Sequence, residues 1–319
     1  MKRGRLRKAA LFILLNAVFL IATGPAILFY GPFDAVKTLA VGAILTSRHP
    51  QAAELFLPPE RAREIAASYG AEGVTVEPVL TGQENVYLDP AGGLRIEKIS
   101  GRSFRGLVML VSDPQSVRVA AAAKPGQMLT QMAAEYGAAA GVNGGGYAPA
   151  PGGGIKADGL VIADGRVVSD TAEDETFGLI GLDAAGRLVL AEMTAAEALE
   201  RDIRQAVSFS PFLIRDGQAL IVGDGGWGVA PRAGIGQTAD GAIIFVVLDG
   251  RQPGWSMGAT LRDLMNVFLE YGAVQAANLD GGSSAEMVYA GQVVNRLWNV
   301  FGERYQPTAW LVTPAAAAD

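Results

Sequence analysis

Cysteine is absent from this chain of 319 residues. That excludes thiol nucleophiles, thiolate metal sites and a disulfide framework. It also fits a protein exposed to oxidants outside a bacterial membrane. Histidine is almost absent. The single one, His49 in TSRHPQ, lies far from every glycine-rich stretch and reads as a loop residue beside Pro50. One histidine so placed argues against a Ser-His-Asp triad and against a His-rich zinc site. Acid–base chemistry is left to carboxylates, Tyr, Lys or main-chain groups. Charged residues make up only 18 %, and their balance is acidic. The first 30 residues hold five positives and no acids, so a net charge of −6 becomes −11 beyond them. Such a body lacks the basic patches that nucleic acid requires. It leaves room for a small phosphorylated ligand held by one or two arginines. No repeat of fixed period is present, and no low-complexity segment beyond the AAAAD tail.

What is present is clearest at the N-terminus. Residues 1–8 carry Lys2, Arg3, Arg5, Arg7 and Lys8, and residues 9–30 carry no charge. An apolar run of that length can cross a hydrocarbon core of about 30 Å as a helix. The flanking positives belong on the cytoplasmic side. The expectation is a retained transmembrane signal anchor, a single pass with a cytoplasmic N-terminus and an extracytoplasmic body; a cleaved signal peptide is the rival reading. Residues 31–75 have helical spacing, in DAVKTLAVGAILTS and PPERAREIAASYG, and read as a membrane-proximal helical segment without chemistry.

From residue 76 the pattern changes to short runs of period two broken by Gly, Asp and Asn. LRIEKIS, RGLVMLVSD and VRVAAA read as strands. GLVIADGRVVSD and PFLIRDGQALIV each place Asp-Gly between two apolar runs, the strongest short hairpin signal. GLIGLDAAGRLVLAE, GQTADGAIIFVVLDG and MVYAGQVVN add further pairs. MLTQMAAEYG reads as a short helix. TLRDLMNVFLEYG reads as a better one, with Thr260 and Asp263 as a capping box, Leu261, Leu264, Met265 and Phe268 on one face, and Gly272 as its stop. AVQAANL and PTAWLVTP complete the strands. The fold class expected is α+β: one domain, 76–314, of mostly antiparallel strands with a few helices on them, and a tail at 315–319.

Four stretches set a polar residue beside glycines at a strand end. In GVNGGGYAPAPGGG, Asn143 precedes bare backbone at Gly144 and Gly145, which allows close approach of a ligand; a loop with an Asx-turn explains it equally. In PRAGIG, Arg232 could fork onto a carboxylate or phosphate, or make an ordinary surface ion pair. In VVLDGRQPGWSMG, Asp249 ends a strand, where function is often placed, but Asp-Gly is also common turn chemistry. In NLDGGSSAEM, Asp280 ends another strand, and Gly281, Gly282, Ser283 and Ser284 offer successive N–H groups and two hydroxyls, a composition that suits an anion nest or a tight turn. Each is ambiguous alone. Four together, two of them flanking one helix, favour a site.

Taken in order, these stretches resemble the phosphodiester glycosidase family over roughly residues 100–312. The resemblance rests on Asn143 to Tyr147, on PFLIRDG, on Arg232 to Gly236, on Asp249 and Gly250 ahead of the capped helix, on Asn278 to Ser284, and on Arg304 before the last strand. Glu286 departs from it, since Thr is common there. The resemblance implies hydrolysis of a sugar C1–O–phosphate bond. It implies Asp280 as the catalytic carboxylate, as base or nucleophile, with Asp249 second. Arg232 and Arg304 would clamp the phosphate with help from the N–H groups of Gly281 to Ser284, and Asn143, with Gly144 and Gly145, would meet sugar hydroxyls or phosphate. The substrate expected is a sugar-1-phosphodiester in a cell-surface polymer or exopolysaccharide. A non-catalytic polysaccharide-binding or assembly module on the same fold is the alternative. No cofactor is evident, and no ligand set for a divalent cation is legible, though a hard cation at Asp280 or Asp249 stays open.

Overall fold

The computed structural model describes residues 79–313 except 90–92, 170, 171 and 173, together with Asn16, Phe19 and Thr23, which are helical. The basic tail, the rest of the expected anchor, the segment 31–75 with His49, and the terminal tail lie outside the described residues. No helix among the described residues is long and apolar enough to cross a membrane. The chain divides into two compact units, residues 1–72 with 226–228, and residues 73–225 with 229–319.

Among the described residues the second unit holds three large antiparallel sheets and a two-stranded one, Tyr147–Pro149 with Ile155–Ala157. The largest has eight strands and contains, in spatial order at its centre, Arg105–Val111, Ile243–Leu248, Arg232–Thr238 and Ala273–Leu279. One five-stranded sheet carries Phe177–Asp183 and Ile203–Ser208; the other carries Ala140–Asn143, Met287–Tyr289 and Thr308–Val312. Every described strand pair within these sheets is antiparallel.

Side chains alternate across a strand, so one segment can serve two cores. In Ile243–Leu248 all six residues are buried. Ile243, Phe245 and Val247 enter a central core shared with Ile180, Val207, Val142 and Trp310 from the other two sheets. Ile244, Val246 and Leu248 enter a second core on the opposite face. That second core is closed by the helix Leu261–Glu270, whose Leu261, Leu264, Met265 and Phe268 are fully buried. Each such side chain contributes about 1.5–3 kcal/mol by leaving water. The capping box forms as the spacing predicts: the Thr260 hydroxyl accepts from Asp263 N–H, and the Asp263 carboxylate accepts from Thr260 N–H at 2.8 Å. The other two sheets carry the short helices Leu129–Glu135 and Ala195–Glu200 in the same manner, the first against Leu311 and Val288, the second with Ala198 against Leu179 and Ile203.

PRAGIG owes its glycines to this packing. A Cβ on Gly234 or Gly236 would lie 2.8 or 2.7 Å from the Phe268 ring. The alternate bare positions let the helix press its largest side chain onto the strand. At the Asp-Gly hairpins, Asp164 and Gly165 have φ of 49° and 74°, and Asp216 and Gly217 have φ of 51° and 74°. Positive φ at both turn residues matches the twist of the flanking strands.

Candidate active site

Ile243–Leu248 and Ala273–Leu279 run in one direction on either side of Arg232–Thr238. Asp249 and Asp280 therefore leave the sheet at the same edge, about 10 Å apart if each strand spacing is taken as about 5 Å. Arg232 stands between them, paired in register with Leu248. The three sequence motifs are thus joined at one rim.

The Asp280 loop is held from beneath. Asn143 is fully buried. Its Nδ2 donates to the Asp280 carbonyl at 2.6 Å, and its Oδ1 accepts from Glu286 N–H at 3.1 Å. The structure places Asn143 under the loop as a brace, with both ends of its amide engaged. Gly144 and Gly145 are close-approach positions: a Cβ on the first would fall 2.3 Å from Thr308 Oγ1 and on the second 2.5 Å from the Ser208 carbonyl. Their N–H groups are occupied, donating to the Thr308 carbonyl at 3.0 Å and to Thr308 Oγ1 at 3.1 Å.

The nest is narrower than its composition implies. Gly282 N–H donates to the Pro231 carbonyl at 2.9 Å, and Ser284 N–H to the Gly281 carbonyl at 3.0 Å. Ser284 is fully buried. Gly281 has no room for a side chain, since a Cβ would lie 2.7 Å from the Pro231 carbonyl. Gly282 adopts φ +61°, a left-handed conformation that favours glycine.

Cations converge on this loop. Arg304 Nη1 donates to Ser283 Oγ at 2.8 Å, and its guanidinium stacks 4.1 Å from the Tyr147 ring centroid. Arg232 is buried, with Nε donating to the Ala259 carbonyl at 3.1 Å. Burial, and then the neighbouring Arg251 charge, lower its pKa to about 10, against the pull of Asp224 and Asp263; it stays charged at neutral pH. Arg251 is the third, and sequence reasoning missed it. Its φ is +58°, uncommon for a residue with a Cβ. That turn brings Nη1 within 3.5 Å of the Cβ position of Gly282, while the guanidinium stacks 5.1 Å from Trp298. The signal was its place directly after Asp249-Gly250.

Asp249 is arranged differently. Its Oδ2 accepts from Trp255 Nε1 at 2.8 Å, and its Oδ1 from Asn295 Nδ2 at 3.3 Å and from Arg296 N–H at 3.2 Å. Burial raises its pKa, and these donors oppose the rise. The carboxylate is occupied in organising the loop around it. Asp280 is half-buried at the start of the loop on which the arginines converge.

Glu286 is a second omission. It is fully buried, and neither carboxyl oxygen accepts a hydrogen bond among the described residues. Burial, then a hydrogen bond to Glu303 and its charge, raise its pKa to about 9. A carboxyl raised that far holds its proton at neutral pH, where it can donate to the neighbouring Glu303 carboxylate. Glu303 in turn accepts from Thr130 N–H at 3.0 Å and from Thr130 Oγ1 at 2.7 Å. Among the described residues no group of three or more His, Cys, Asp or Glu is placed to hold a metal ion.

Residues 136–313 match the phosphodiester glycosidase family, more than half of the chain. The chain belongs to that family. That family is one of hydrolases, described as phosphodiester glycosidases. A curated relative, the SPbeta prophage-derived uncharacterized protein YomE of Bacillus subtilis, is 29 % identical over 110 residues, which is 33 % of this chain and 17 % of that protein. The chain therefore spans about a sixth of that relative's length. Among solved structures, the catalytic domain of zebrafish N-acetylglucosamine-1-phosphodiester alpha-N-acetylglucosaminidase, auto-inhibited by its pro-peptide, has a TM-score of 0.59 at 21 % identity, covering 76 % of this chain and 86 % of that one. A hypothetical protein from Synechocystis has a TM-score of 0.53 at 15 % identity, covering 72 % and 63 %. A putative exported protein from Burkholderia pseudomallei has a TM-score of 0.50 at 17 % identity, covering 68 % and 74 %. At these identities the structures are likenesses of fold.

Proposed function

We propose that the chain is a membrane-anchored extracytoplasmic glycosidase that hydrolyses the sugar C1–O–phosphate bond of a sugar-1-phosphodiester in a cell-surface polymer or exopolysaccharide. The observation that carries this reading is the meeting of Arg232, Arg251 and Arg304 at the loop that begins with Asp280. Three guanidiniums gathered at the loop that Asp280 opens suit a reaction in which a phosphate departs and positive charge develops at a sugar carbon.

In this reading C1–O cleavage releases a phosphomonoester, whose growing charge the arginines meet. A departing phosphate is already a stabilised anion, so strong protonation of the leaving oxygen is less needed. Asp280 acts on the opposite side, as nucleophile at C1 or as base toward water. Asn143 and Gly144 fix the main chain from which that carboxylate projects. The anchored, extracytoplasmic placement is supported by residues 1–30, and the polymeric substrate by that placement together with the family resemblance.

The test uses the full chain in detergent with a panel of sugar-1-phosphate methyl diesters. Wild type should release free sugar. Asp280→Asn should abolish release, and Arg304→Lys should lower kcat/KM about tenfold or more, because an ammonium offers neither the fork nor the ring stacking of guanidinium. Full activity in Asp280→Asn would refute the catalytic assignment. Protease accessibility of the body in intact cells, compared with lysed ones, tests the placement.

A further inference from the structure

The rim that carries Asp280 continues past Asp249 into a cavity of about 670 Å³. Its walls come from Trp255, Asn295 and Arg296 on one side and from Lys98, Ser100 and Arg105 on the other. The N-terminal part of the lining, from Gly82 to Leu107, precedes residue 136, where the family match begins.

Lys98 stands opposite Glu84 in the strand register. Arg105 and Arg296 are different. Their guanidinium carbons lie 4.4 and 5.2 Å from the Trp255 ring centroid. Neither guanidinium is in an ion pair or side-chain hydrogen bond among the described residues. Glu84 and Asp249 also line the cavity; the Arg296 charge acts on Asp249, whose oxygens already receive Trp255, Asn295 and the Arg296 main chain. Stacking on an indole restrains a guanidinium plane while leaving its N–H donors available. Two such groups on one ring, in a body whose charge is strongly negative, form a receptor for an oxyanion.

This receptor is tied to the arginine cluster by one loop. Asp249 opens the loop, Arg251 reaches Gly282, and Gln252 Nε2 donates to the Arg296 carbonyl at 2.9 Å. We infer that the Arg105–Trp255–Arg296 cavity is a second, non-catalytic subsite that binds an oxyanion carried by the substrate beyond the bond being cleaved. The inference rests on the proposed function and narrows it: the substrate bears repeated negative charge, as phosphodiester or as carboxylate.

The test separates those two sources with probes that lack a cleavable sugar C1–O–phosphate bond. A glycerol phosphate oligomer carries phosphodiesters, and a galacturonate oligomer carries carboxylates. Each is titrated calorimetrically into the full chain in detergent. One or both should bind wild type, bind about tenfold more weakly to Arg105→Gln, and weaken with added salt. Arg304→Lys should leave this binding unchanged. Arg105→Gln should also cleave a small methyl diester as wild type does. Binding of neither probe overturns the inference, as does equal binding by wild type and Arg105→Gln, or loss of binding in Arg304→Lys alone. Should Arg105→Gln not fold, Trp255→Phe replaces it, with the same tenfold loss expected. Wild type that binds a probe yet cleaves no sugar-1-phosphodiester would sustain the subsite and reject the catalytic reading.

Discussion

The Asn143 side-chain amide donates to the Asp280 carbonyl, 137 residues away in sequence, at 2.6 Å. The same side chain accepts from Glu286 N–H, so one buried residue holds both ends of the loop that carries the candidate acid. Asn143→Asp separates these two contacts. The carboxylate still accepts from Glu286, but faces the Asp280 carbonyl without a proton to give. A buried group deprived of its partner costs about 1–3 kcal/mol. We expect a fall of that size in unfolding free energy, with kcat reduced about tenfold or more and KM changed less. Unaltered kcat in a stably folded variant would show that the brace does not position Asp280.

Glu286 gives a pH dependence whose sign follows from its burial. Unfolded, it releases its proton near 4.5; folded, it keeps it to about 9. Between those values the folded state binds the extra proton, so this group contributes stability fully below about 4.5 and loses it as pH rises toward 9. Glu286→Gln keeps a donor for Glu303 and removes the titration. The melting temperature of the variant should exceed that of wild type by a margin that grows from pH 5 to pH 9. A margin independent of pH would contradict the protonated Glu286 described above.

Gly234 has no conformational need to be glycine, and its cost of replacement is steric. Gly234→Ala sets a methyl 2.8 Å from the Phe268 ring and 2.9 Å from the Ala277 carbonyl. Overpacking of this kind costs about 1–3 kcal/mol. Chemical denaturation should show that loss, and Phe268→Leu in the same chain should recover part of it. Strict additivity of the two substitutions would mean that the ring and the bare strand are not coupled.

Local chemistry made much of this fold readable. The Asp-Gly hairpins, the all-apolar strand at residues 243–248 and the capped helix before Gly272 each announce themselves within a dozen residues. Leu80–Asp89, LTGQENVYLD, does not, because an edge strand with polar residues on both faces has no clean alternation. The helix Ala195–Glu200 was also passed over, although Thr194 and Glu197 form a capping box, since six residues are too few to display a period. At the site, the motifs brought Asp280, Arg232 and Arg304 into view as glycine-flanked polar residues. Arg251 depends on a left-handed turn, Tyr147 on a stacking partner 157 positions away, and the Glu286–Glu303 pair on two elements that meet only in the folded chain. Those are products of tertiary packing, and apart from the place of Arg251 directly after Asp249-Gly250 no local pattern encodes them. The same packing explains why Asn143, legible as a polar residue beside glycines, proves to be a brace.

The strand at residues 243–248 is buried on both faces, and its neighbours on either side are hydrogen-bonded to it along their length. The interval between Asp249 and Asp280 is therefore fixed by the sheet itself, as graduations are fixed on a ruler. Loops beyond the rim can vary in sequence without altering that interval. On the proposed reading, substrates would then be told apart by the spacing of their charges as much as by the identity of the sugar.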